Sequence, residues 1–134
     1  MGNAPLELLV PISAGELLDK ITILRIKEDR LRSEEKRANV RRELSLLEQI
    51  ANVHLSRATL ANHEADLLRV NETLWTIEEE LRAHEAQGTF DTEFIRLARS
   101  VYVTNDERAR IKRAINEVVG SALVEEKSYG EDSR

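Results

Sequence analysis

The chain has 134 residues, of which 41% are apolar and 34% charged, with a net charge of −5 and no cysteine. That is enough for one domain with a core of its own, and it excludes disulfides, thiolate chemistry and cysteine-based zinc sites. Intermixed charges with an acidic balance describe a solvated helical surface and argue against a dedicated nucleic-acid binder.

The opening MGNAPLELLVPIS has no basic stretch ahead of its short apolar run, so it does not read as a signal peptide. No apolar run approaches the roughly 20 residues that cross a bilayer. A single soluble domain over 1–134 is expected, cytoplasmic and without contact to a membrane. Both prolines lie before residue 12, and neither Gly nor Pro occurs between Gly15 and Gly88. A stretch of that length, rich in Leu, Glu, Arg and Ala, has no intrinsic reason to leave the helix.

In chain order, residues 6–12 predict an extended lead-in held by Pro5 and Pro11. Ser13 with Glu16 three residues on predicts a capping box, and Ile12 is placed for a staple contact. The first helix is expected over about 14–33. Leu17, Leu18, Ile21, Leu24 and Leu31 form one stripe, with Ile23 and Ile26 opposite, so this helix should pack on two neighbours. The polar run 33–39 predicts a turn. From there to Gln87 one helix of up to about 50 residues, roughly 75 Å, is expected. Its apolar seam weakens over 51–65, where a break near Asn52 or Asn62 would give four helices; three with a long central helix is the preferred reading, because no residue forces a stop.

Gly88 predicts a helix stop and Asp91 the next N-cap. Phe94, Leu97, Val101, Ile111, Ile115 and Val119 then line a last helix ending at Gly120. Leu123, Val124 and Tyr129 are expected to dock, with fraying over 130–134. The predicted class is all-α: an antiparallel helical hairpin or bundle of three helices, or four.

One feature of the last helix breaks the pattern. At 100° per residue Arg108 projects into its apolar stripe, with Lys112 on the edge and Asn105 and Asn116 alongside. A charge aimed at a core is costly unless it is paired or the core opens into a pocket. If the hairpin turns at Gly88, residues 67–71 face Arg108, which makes Glu64, Asn71 and Glu72 its expected partners. Arg108 forms a structural ion pair, or a helix break at Asn105 and Asp106 resets the register and exposes it, or it and Lys112 build a cationic pocket for phosphate or carboxylate. Glu16, Asp19 and Lys20 are explained as capping and helix-dipole charges. The basic runs 36–42 and 108–113 lack interleaved aromatics and read as solvated faces. His54, His63 and His84 show no metal-ligand spacing, and no phosphate loop or nucleophile elbow is present. No metal or cofactor is expected.

The segments PISAGELLDKITILRIK (11–27), VNETLW (70–75) and ARSVYVTNDERARIKRAINEVVGSALVEEKSY (98–129) resemble a family of small bacterial all-helical proteins built on a domain of unknown function. The resemblance covers nearly the whole chain. It carries no reaction, but it draws attention to the polar residues of those motifs: Glu16, Asp19, Lys20, Asn71, Asn105, Asp106, Arg108, Lys112, Asn116, Glu125, Glu126 and Lys127. All-helical chorismate mutases are similar only in outline, as short helical dimers whose Arg, Lys and Glu converge on a dianion; no motif aligns.

The function expected from these observations is a non-catalytic helical interaction or assembly module, self-associating as a homodimer or engaging a protein partner. The alternative is a small-anion binder, or a lyase- or mutase-like enzyme. Its anion-binding residues would be Arg108, Lys112, Asn105, Asn116 and Asn71, with Glu16, Asp19 or Glu125 as the acidic group.

Overall fold

Four short polar side chains start the four helices. In the computed structural model, which describes residues 4–121 and Glu126, Ser13, Ser33, Ser56 and Asp91 each accept a hydrogen bond from the backbone N–H three residues on. They open α1 (Ala14–Arg30), α2 (Glu34–His54), α3 (Arg57–Gln87) and α4 (Thr92–Val119). No strand occurs among the described residues. Gly88 and Gly120 close α3 and α4 in the left-handed conformation, at φ 68° and 65°, where a side chain would be strained. None of the helices is long and apolar enough to cross a membrane.

Two sequence expectations are corrected. The 33–39 segment is not a turn: the link between α1 and α2 is residues 31–33 only, because Ser33 already caps α2. The single helix from there to Gln87 is in fact two. It breaks at Leu55 and Ser56, where Leu55 turns extended (φ −121°, ψ 145°) and the Ser56 hydroxyl caps α3. This corner is fastened by charge. The Glu48 carboxylate accepts from Arg25 Nη2 and from Arg57 Nη1, both at 2.6 Å. Arg57 Nη2 also reaches Glu64 at 2.6 Å, and Arg25 Nη1 lies 3.6 Å from the same carboxylate. The ring joins α1, α2 and α3 at the bend.

The bend makes α1 the innermost element. It packs against α2, α3 and α4, and α3 packs along α4 as a hairpin. Among the described helices, α2 packs chiefly on α1. Leu17, Leu18 and Ile21 of α1 meet Ala51, Leu60, Leu67 and Ile115 in the core, and Ile26 on the other side is buried too. The two-sided packing expected of this helix is therefore present. Residues 4–13 form no helix or strand, and Leu6, Leu8, Leu9 and Val10 stand exposed. The docking expected of Leu123, Val124 and Tyr129, and the frayed end, lie outside the described residues.

Burial alone would raise the Glu48 carboxyl, but hydrogen bonds from Arg57 and Arg25 outweigh it and hold its pKa below the ordinary 4.5. A depressed folded-state pKa favours the native state above the unfolded value, and that advantage is lost as pH falls through the folded one. Glu48→Gln is therefore expected to flatten the acid side of the stability curve below about pH 4.5, read by urea titration at stepped pH. An unchanged acid limb would show that the ring does not couple to folding.

Candidate functional site

The crossing of α1 over α4 is closer than side chains ordinarily allow. A Cβ at Gly15 would overlap the carbonyl oxygen of Lys112 and lie 3.0 Å from Asn116 Oδ1. That amide oxygen accepts from the Gly15 N–H at 2.7 Å, which satisfies one of the donors a helix start leaves without a partner. The close approach brings the first turns of α1 against Arg108 and Lys112 of α4.

Asp19 is the centre of the resulting contact. It sits on α1 with 0% of its surface exposed, where an uncompensated carboxylate would be very costly. Arg108 meets it with a fork: Nε donates to Oδ1 at 2.8 Å and Nη2 donates to Oδ2. Asn71 of α3 donates from Nδ2 to Oδ1 at 2.9 Å, and at the same distance to the Thr22 hydroxyl. Thr22 in turn donates to the Asp19 carbonyl at 2.8 Å. Lys112, also buried, reaches Glu16 Oε2 at 2.6 Å and lies 3.9 Å from Asp19 Oδ2. Asn105 Oδ1 is 3.5 Å from Arg108 Nη1. Among the described residues, two carboxylates thus face two cations in a cluster drawn from three helices.

The sequence-predicted residues Arg108, Lys112, Asn105, Asn116, Asn71, Glu16 and Asp19 all converge here; Glu125 lies outside the described residues. Lys20 remains at the rim, with Nζ 4.0 Å from Glu16. The partner of Arg108 differs from the expectation. Glu64 belongs to the corner ring and Glu72 faces solvent, while Asn71 serves Asp19 and not Arg108. The reason is that α1 is wedged into the α3–α4 hairpin and interposes its own carboxylate. The capping box is also half-formed: Ser13 accepts from the Glu16 N–H, but the Glu16 carboxylate goes to Lys112. Sequence reasoning does not single out Gly15 or Thr22. Gly15 reads as an ordinary helix-start residue, although a glycine one turn before an inward Asp is a signal for close backbone approach.

Beside the cluster a groove of about 600 Å³ runs between α1 and α3, lined by Ile23, Ile26, Leu74, Trp75, Arg82 and Arg108 among others. Among the described residues no group of His, Asp and Glu gathers as metal ligands would.

An all-helical domain whose innermost helix is locked by a buried cluster of carboxylates and cations is the class that fold and site define. The chain belongs to the family of unknown function DUF6165, whose model matches residues 8–133 and so spans all four helices. No curated protein and no solved structure matches it.

Removing one member of a buried ion pair leaves the other charge uncompensated. Arg108→Ala is expected to cost about 3–5 kcal/mol in urea unfolding, and Asp19→Ala with Arg108→Ala less than the two singles summed. Strict additivity would mean that the pair is not coupled. Gly15→Ala should destabilise by about 1–3 kcal/mol through overpacking, opposite in sign to the roughly 1 kcal/mol gain that change gives in an open helix. A raised melting temperature would count against the close crossing.

Proposed function

We propose that the chain is a non-catalytic helical assembly module that associates with itself, and that the Asp19–Arg108 cluster is its internal lock. One observation carries this reading. Only Val40 and Ala51 of the 21 residues of α2 are buried, while Leu46, Ile50 and Val53 are 48%, 45% and 78% exposed. Exposed aliphatic side chains aligned along one helix face are the kind of surface a partner covers. The exposed lead-in with Leu6, Leu8, Leu9 and Val10 adds a second surface of the same kind.

The cluster supports the same reading from inside. Arg108 engages a buried carboxylate through two nitrogens, and Lys112 is in contact with Glu16. A small anion bound there would have to displace Asp19 or Glu16. The Thr22 hydroxyl is engaged at both donor and acceptor within the cluster, so it is not poised as a nucleophile. A cytoplasmic setting is part of the proposal, in keeping with a sequence that carries no cysteine.

Sedimentation of the full chain at micromolar concentration is expected to give a dimer, and a clean monomer would end the assembly reading. Inorganic phosphate is expected to leave the melting temperature unchanged. A rise that Arg108→Ala abolishes would favour an anion site instead, since a ligand selective for the native state must stabilise it.

A further inference from the structure

Beyond α4 the chain is carried back along the helix it has just left. Gly120 closes α4 in the left-handed conformation, and the Ser121 N–H donates to the Asn116 carbonyl at 2.9 Å. Glu126 then stands with its carboxylate 3.4 Å from Arg113 Nη2, about 10 Å back from the helix end toward its middle. The flank is defined as well. At 100° per residue, Arg108, Lys112, Asn116 and Arg113 follow one another around α4. Lys112 and Asn116 are the members that touch α1, so Arg113 and Glu126 lie on the side of α4 next to α1. The two helices meet from Gly15 and Asn116 up to Asp19 and Arg108. One and two turns further along α1, Ile23 and Ile26 line the groove with Leu74 and Trp75 of α3, and Arg108 lines it too. Ile23, Leu74 and Trp75 are only half-buried.

We infer that the occupant of this groove is the chain's own segment 127–134, with the Tyr129 ring set against Ile23, Leu74 and Trp75. The inference goes beyond the assembly reading and stands independently of it. Reach is sufficient. Eight residues span at most about 28 Å when extended. Arg113 is about 7.5 Å along α4 from Arg108, and Arg82, at the far end of the groove, is about 16 Å along α3 from Asn71. Asn71 and Arg108 are level, since both bond the same Asp19 oxygen. Tyr129 comes three residues after Glu126, about 10 Å on, which brings it close to Leu74 and Trp75. It is the one large apolar side chain in 127–134, so a single anchor sets the register, and its hydroxyl stays toward water at the groove mouth. The family model runs through residue 133 and so takes in this segment with the four helices. Tethering favours the same occupant. A short link presents the ring at an effective concentration in the millimolar range, which a free partner at micromolar concentration does not match.

The experiment uses the full chain, in which Trp75 is the single tryptophan and reports on the groove directly. Tyr129→Ala is expected to shift Trp75 emission to longer wavelength and to increase its quenching by acrylamide, with helix content unchanged by circular dichroism. Because the chain has no cysteine, Ser128→Cys carrying a bimane places a second probe beside the anchor without removing it. Contact with Trp75 is expected to quench the bimane, and Trp75→Phe to restore its emission, equally at every protein concentration. Bimane emission that is the same with and without Trp75 would overturn the inference, as would Trp75 emission that Tyr129→Ala leaves unchanged. Quenching that fades on dilution would mean that the segment enters the groove of another copy, and would overturn its placement within one chain.

Discussion

The buried carboxylate of Asp19 is the constraint around which the molecule is arranged. It stands on the innermost helix, out of reach of water, and is tolerable only while a guanidinium from α4 and an amide from α3 are both in contact with it. Aliphatic stripes such as Leu17–Ile21 against Leu60–Leu67 specify that surfaces meet but only loosely at which turn, since one leucine packs much like the next. A forked contact between Arg108 and Asp19 has one register. Slipping α4 by a turn would trade several buried hydrogen bonds for an unpaired charge, a penalty far above the cost of repacking leucines.

Reaching that register depends on backbone proximity as much as on charge. Lys112 is close enough to Glu16 because Gly15 lets the first turn of α1 lie against the Lys112 carbonyl. Asn116 converts the same proximity into a hydrogen bond to an amide that the helix start would otherwise leave unsatisfied. Glycine, asparagine, lysine and glutamate therefore act as one contact, and each makes sense only with the others in place.

These dependencies explain which features are legible in the sequence and which are not. Helix ends at Gly88 and Gly120 and caps at Ser13 and Asp91 are local, decided by a few dihedrals and one side chain, and they stand where sequence places them. That Arg108 is aimed inward is legible from helical projection. Its partner is not, because Asp19 lies 89 positions away and looks like an ordinary dipole charge at a helix start. Pairing depends on α1 being wedged into the α3–α4 hairpin, which is a consequence of the break at Leu55. The break in turn has a signal, Ser56 with Thr59 three residues on, but serine within a helix-favouring run is only weakly diagnostic. The bend is settled by the ring of Arg25, Glu48, Arg57 and Glu64, and that exists only once the chain has turned.

The same bend accounts for the aliphatic side chains that α2 leaves outside the core. Had 34–87 stayed one helix, its whole apolar seam would face a single direction. Broken at Leu55, it divides: α3 takes Leu60, Leu67, Val70 and Ile77 into the bundle, whereas α2 is left flanking a helix already covered on its other sides. One stripe of α2 is then enough to hold it to α1, and Leu46, Ile50 and Val53 are surplus to the fold. Composition did not require that surplus, since the chain's 41% apolar content is ordinary for a domain of this size. It is the topology that creates it, and a surface produced by topology has a fixed length and spacing.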